Sequence, residues 1–212
     1  MAKEVWLSAS SISDFWDCPR RYFYRIFRSD AAIKSEHLIL GGIIHQGIEK
    51  LESGEIGDDK VIDWALDEWY SRTKFLAKHW KSPHPPKKVD KLLGNYMSHI
   101  RPRLQFDPPP LIEHSFKLPV IDNVYLVGKM DRIEEGVFYD WKTAGKPPGR
   151  YELQDMQFIL YWWAYKQLYG HDPTAIYYGY LMGGKCYNVI MNEILLSDTE
   201  KLLDKTAKIV YN

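Results

Sequence analysis

The pattern of apolar and polar positions changes period once along this chain, at the run Asp107-Pro108-Pro109-Pro110. Upstream, apolar residues recur at helical spacing; downstream, they alternate or run together as in strands. Leu7-Ser8-Ala9-Ser10-Ser11 followed by Ile12, Phe15 and Trp16 predicts a short capped helix. Pro19 ends that helix and opens the next, since proline is tolerated in a first turn. This second helix, RRYFYRIFR, mixes aromatics with Arg20, Arg21, Arg25 and Arg28. Gly41 and Gly42 precede the helical stretch IIHQGIEKLE. Two more helices are predicted, from about Asp59 to Trp80 and from Lys87 to about Leu104. The breakers Ser82-Pro83-His84-Pro85-Pro86 and Asp107-Pro108-Pro109-Pro110 flank the last of them.

Beyond the second proline cluster, Glu113–Val120, Val124–Met130 and Gly136–Trp141 read as strands with short polar turns between them. Gly145–Gly149 is a loop, and Tyr151 to Tyr169 is an aromatic-rich helix stopped by Gly170. Ala175–Leu181 and Cys186–Ile194 read as two further strands across the turn Met182-Gly183-Gly184, and Ser197 is placed to cap a final helix. The order predicts an α/β fold in a single domain. A mainly helical N-terminal part, residues 1–106, folds over a mixed β-sheet core, residues 107–212.

Composition narrows the picture. The chain has 212 residues, 45% hydrophobic and 26% charged, with a formal net charge of zero, which is ordinary for a soluble domain. No apolar run approaches a membrane span, and the start, MAKEVWLSAS, lacks the apolar centre of a signal peptide. Only Cys18 and Cys186 are present, too few for a disulfide framework. A cytoplasmic protein with no membrane partner is expected. Zero net charge does not favour a nucleic-acid partner, but a local basic lining binds phosphate even when the outer surface is acidic.

The candidate chemistry gathers at VFYDWKTAG. Side chains of a strand alternate between faces, so Asp140 and Lys142 point the same way and Trp141 the other. Asp131, in VGKMDRIE, ends the preceding strand; in a hairpin the two carboxylates sit side by side. Two close carboxylates repel, and one takes up a proton unless a cation neutralises them. A divalent metal does so, and oxygen ligands with an imidazole suit Mg²⁺ or Mn²⁺. His45 lies on an N-terminal helix, and Gln157 and Tyr161 share one helix face. Lys142 is placed to orient or deprotonate water, or to hold phosphate charge. Taken singly, each residue has a plain alternative: a solvated ion pair for Asp140 and Lys142, core packing for Gln157 and Tyr161, a solvated helix face for the arginines.

In this order the residues resemble the PD-(D/E)XK nucleases, in the RecB-like branch that includes many phage exonucleases and CRISPR-associated adaptation nucleases. SASSISDFWDCPRRYFYR is similar to that branch's N-terminal signature, and GGIIHQGIE to its Gly-x-x-x-His-x-x-x-Glu motif. GKMDRIEEGVFYDWKT is similar to its Gly-x-x-Asp and Asp-x-Lys-Thr pair, and QFILY to its Gln-x-x-x-Tyr motif. The resemblance implies a restriction-endonuclease-like mixed sheet flanked by helices. It implies His45, Asp131, Asp140 and the Trp141 backbone carbonyl as metal ligands, and Lys142 as catalytic lysine. Gln157 and Tyr161 would then contact DNA and support the lysine. Glu49 would back His45 from outside the coordination sphere, or serve only as a helix ion-pair partner. Arg20, Arg21 and Arg25 would bind DNA.

The implied activity is metal-dependent hydrolysis of DNA, leaning to an exonuclease on single strands or duplex ends. A silent DNA-binding module of the same fold, or a subunit requiring a helicase or recombination partner, is the alternative. Iron–sulfur members of the branch need a Cys in the Cys-Pro-Arg segment and three more near the C-terminus. Here only Cys18 and Cys186 exist, so no cluster is expected.

Overall fold

The computed structural model describes residues 4–27, 35–74 and 86–211. Its elements are strand β1 (Val5–Leu7), helices α1 (Ala9–Asp17), α2 (Pro19–Phe27), α3 (Glu36–Glu52), α4 (Val61–Thr73) and α5 (Pro86–Asn95), then strands β2 (Leu111–Ile121), β3 (Val124–Glu134) and β4 (Val137–Lys142). Helix α6 (Met156–Tyr169), strands β5 (Ala175–Tyr180) and β6 (Lys185–Asn188), and helix α7 (Glu193–Tyr211) follow. No described helix is long and apolar enough to cross a membrane.

One mixed sheet organises the molecule. The long strand β3 pairs with antiparallel β2 along one edge. Its other edge is shared: β1 pairs in parallel at Val124–Leu126, and β4 pairs antiparallel at Arg132–Glu134. Strand β5 runs parallel to β4, and β6 antiparallel to β5. Parallel neighbours need a crossover, and α6 supplies it between β4 and β5. The sheet separates two apolar cores. On one face Phe138, Leu126 and Tyr178 pack with Phe158, Leu160 and Trp162 of α6, and with Leu196 and Leu203 of α7. On the other, Tyr139 and Trp141 pack with Ile43, Ile44 and Ile48 of α3, Trp69 of α4 and Leu92 of α5. Alternation along β4 thus sends Phe138 to α6 and Tyr139 and Trp141 to α3.

The chain departs from its sequence pattern at defined places. Strand β1 was not expected; three residues make it a strand only because part of β3's second edge is free to receive them. Gly41 and Gly42 lie inside α3 rather than before it, because the Ser35 side chain already caps the helix at Leu38. The helix expected from Tyr151 starts at Met156, where the Asp155 carboxylate accepts the Gln157 N–H. Ser197 caps nothing: the Asn192 side chain accepts the Ile194 N–H at 2.9 Å and α7 is already under way at Ser197. Strand β6 ends at Asn188 instead of Ile194. The helix predicted after Asp59 is seen as α4, and its continuation to Trp80, like most of the following proline breaker, lies outside the described residues.

Gly179 on β5 shows how tightly the sheet holds Trp141. A Cβ at Gly179 would sit 2.2 Å from Trp141 Cε3. Gly179→Ala is therefore expected to destabilise the protein by about 1–3 kcal/mol through overpacking, read as a lower urea midpoint.

Candidate functional site

Three segments converge between α3 and the β2–β3–β4 ribbon. His45 projects from α3, and its Nδ1 lies 3.2 Å from Asp131 Oδ1 on β3 and 3.9 Å from Glu113 Oε1 on β2. One ligand atom from each of the three lies within 4.8 Å of the others, so this group is able to hold a metal ion. Asp131 is buried, and its second oxygen accepts the Trp141 N–H at 2.6 Å. The pairing of β3 with β4 stops at Arg132 and Tyr139, so the Asp131 carboxylate takes over where a strand partner would have been.

Beside it, Asp140 Oδ2 is 2.6 Å from the Lys142 ammonium. Gln157, in the first turn of α6, donates from Nε2 to Asp140 Oδ1 at 2.9 Å and accepts from Lys142 Nζ at 2.8 Å. Its amide therefore fixes acid and base together. The Lys142 ammonium also lies 5.6 Å from the centre of the Phe158 ring. Tyr161, one turn beyond Gln157, is buried against Phe116 and Phe138 beneath Gly128.

Glu113 was not singled out from the sequence. It stands opposite Asp131 across the β2–β3 ladder, between the pairs Ile112↔Arg132 and His114↔Met130. Counting back from the hairpin pair Ile121↔Val124 would place His114 opposite Asp131; the irregularity between Pro119 and Ile121 shifts the register by one residue. Glu113 also has a φ of 52°, a left-handed backbone that is uncommon for a non-glycine residue in a strand. Its carboxylate pairs with the Lys129 ammonium, a second residue that the sequence pattern did not bring forward.

Other expected residues are placed differently. Glu49 lies one turn along α3 from His45 and makes no hydrogen bond to it; its charge acts on Lys129. Arg21 is held by Asp14 at 3.4 Å and Asp17 at 2.9 Å, and Arg20 sits over the Tyr24 ring. The side chain of Arg25 and all of Arg28 lie outside the described residues. Cys18 is exposed after α1, whereas Cys186 is partly buried in β6, where burial pushes its thiol up to about 11.

The electrostatics follow from crowded acids. Burial works against a charged His45, but the carboxylates of Asp131, Asp140 and Glu113 outweigh it and push its pKa up to about 9. Burial also raises Asp140, against the pull of Lys142, with Asp131 adding to the rise. Glu113 is raised by burial too, opposed by Lys129. Lys142 stays cationic: burial lowers its pKa, yet Asp140 and then Asp131 raise it more.

A family model described as the PD-(D/E)XK nuclease superfamily matches residues 6–206. No curated protein matches the chain.

The raised His45 pKa has a pH signature. Without metal, its contribution to stability is complete below the unfolded value of 6.5 and is lost as pH rises through about 9. A loss on the order of 3 kcal/mol across that window is expected, measured by chemical unfolding in EDTA and abolished in His45→Gln. Affinity for a metal held through His45 would run the opposite way, rising over the same window because a ligating imidazole must first lose its proton.

Proposed function

Because the chain belongs to the PD-(D/E)XK nuclease superfamily, whose restriction-endonuclease-like fold matches the mixed sheet and flanking helices described above, we propose that it hydrolyses DNA phosphodiester bonds with Mg²⁺ or Mn²⁺ held by His45, Asp131 and Asp140. The observation that carries this reading is the meeting of His45, Asp131, Asp140, Lys142 and Gln157 from separate elements. The donor set fits a hard divalent ion: the His45 imidazole and the Asp131 and Glu113 carboxylates lie within reach of one ion, and the buried Asp140 carboxylate acts on His45 from beside them. The Trp141 carbonyl fits as a further donor. In a strand the N–H and C=O of one residue aim at the same edge, and the Trp141 N–H already meets Asp131. When bound, the ion supplies Lewis-acid polarisation of a phosphoryl oxygen and activation of water.

The chain's own groups do the rest. Lys142, cationic and fixed by Asp140 and Gln157, holds negative charge as it develops on the phosphate. Gln157 keeps both in place, and Tyr161 supports it from below the sheet. Glu49 adds negative potential around Lys129. A His on a helix ahead of the catalytic sheet is the feature that favours the RecB-like branch, with its phage and CRISPR-associated nucleases.

The substrate reading is a single strand or a duplex end, acted on as an exonuclease. The loop from Lys142 to Gln157 supports it. Tyr151 there is 89% exposed, and the same loop carries the exposed cations Lys146 and Arg150. Backbone bonds Leu153 N–H to Gly149 O at 3.2 Å and Ile190 N–H to Leu153 O at 3.0 Å hold the loop in shape. An exposed ring on a loop that carries cations suits an unpaired base and its phosphates. Arg21 is already neutralised by its own acids, so the exposed Lys146 and Arg150 carry more of the phosphate binding than Arg21. The helices before residue 107 would arch over the bound strand, in a cytosolic setting.

Asp140→Ala and Lys142→Ala are each expected to lower Mn²⁺-dependent cleavage of labelled single- and double-stranded DNA by about a hundredfold or more. If both variants cut as fast as the parent, the reading is wrong. DNA binding that persists in EDTA, with no product when metal is restored to the parent, would instead identify a silent module or a subunit awaiting a helicase or recombination protein. Tyr151→Ala should weaken single-strand binding about tenfold and leave binding of a blunt duplex unchanged, as read by fluorescence anisotropy in EDTA.

A further inference from the structure

We propose that Arg132 and Glu52 form a positioning pair that fixes the register of α3 on β3 and so delivers His45 to Asp131; the inference rests on the metal reading above. Consecutive strand residues normally face opposite ways, so Asp131 and Arg132 would not be expected to engage the same helix. Here they do. Asp131 meets His45, and Arg132 forms an ion pair with Glu52. His45 and Glu52 are two turns apart on α3 and therefore on one face, about 10 Å apart along its axis.

The strand changes phase to make this happen. Val124, Leu126 and Met130 pack into the core under α6, and so does Ile133 three residues beyond Met130, although even alternation would turn it away. Across the ladder from this slip stands Glu113, with its left-handed backbone. The slip leaves Arg132 fully buried on the α3 side.

Each of its three guanidinium nitrogens faces a partner there, Nη1 through an ion pair. Nε donates to Glu134 at 2.8 Å, Nη2 donates to the Gln105 carbonyl, and Nη1 faces Glu52. Glu52 in turn accepts from the Tyr96 hydroxyl at 2.7 Å, with Arg101 at 3.6 Å. The apolar contacts of Ile43, Ile44, Ile48 and Leu51 are non-directional and would tolerate a shift of the helix. The ion pair would not, because a displaced α3 separates two buried opposite charges from each other and draws Glu52 away from the Tyr96 hydroxyl. Specifying register is the best-attested use of a buried charged pair.

The test replaces both charges by apolar groups of similar bulk, Glu52→Leu with Arg132→Met, a change that often leaves stability intact. Mn²⁺ affinity is measured calorimetrically without DNA, alone and combined with His45→Ala. The melting temperature is expected to stay near the parent's, while Mn²⁺ affinity falls about 10- to 100-fold, the range for removing a ligand's support. His45→Ala should then cost little more on this background, though it costs the full amount in the parent. Unchanged affinity with a full His45→Ala penalty would overturn the proposal. Should the double variant fail to fold, Arg132→Lys, which keeps the charge and loses the fork, takes the same measurements with the same deciding outcomes. A crystal structure of the metal-free variant reads the register directly. A His45–Asp131 contact beyond hydrogen-bond reach supports the pair, and one kept near the parent's 3.2 Å refutes it. A parent that binds no Mn²⁺ would count against the metal reading alone, and the crystallographic distance would still decide the register.

Discussion

The Asp131 carboxylate is shared between an imidazole and a backbone amide, and the site is assembled around that division. One oxygen faces His45 Nδ1 at 3.2 Å, and the other accepts the Trp141 N–H at 2.6 Å. A buried carboxylate needs partners for its lone pairs, and each half of Asp131 finds one on a different element. The helix α3, packed on one face of the sheet, and the strand β4, along one edge of β3, are thereby brought to the same point. Asp140 and Lys142 then follow from the two-residue period of β4, and Gln157 from the cap that starts α6 beside them.

This gathering has an electrostatic consequence. Glu113, Asp131 and Asp140 stand around His45, while Lys129 and Lys142 are the ammonium groups paired with them. The metal-free chain answers the excess of acid by holding a proton on His45 and by drawing Lys142 onto Asp140. A divalent cation held among the same carboxylates would take the place of that proton, and Lys142 beside Asp140 would then be the cationic group able to face phosphate. Zero net charge over the whole chain is compatible with this, because the field that matters is set within a few ångströms.

Strain and burial fall in the same place. The left-handed Glu113, the phase slip between Met130 and Ile133, and the fully buried Arg132 all lie within one ladder rung of Asp131. Unfavourable backbone persists where the surroundings over-determine it. Here the Glu52, Glu134 and Gln105 contacts on one side and the α6-side core on the other hold the strand in its altered phase.

Much of this was legible in the sequence, and the boundary has a physical origin. Helix and strand periods are local, so α1, α3, the β2–β3–β4 ribbon and α6 could be read from spacing. The meeting of Asp140 and Lys142 on one face followed from one strand's alternation. The order of His45, Asp131, Asp140, Lys142 and Gln157 was visible as well, since each sits in a distinctive motif. Glu113 was not, because a bulge near Pro119 sets which β2 residue faces Asp131. Neither was Arg132–Glu52, because charged residues read as solvated until a fold buries them. Strand β1 is too short to carry a signal and exists through its pairing with β3. The sequence by itself determined which side chains could do chemistry and on what kind of element each would stand. Only the tertiary structure decided their register and burial, because those depend on contacts between distant segments that no local period encodes.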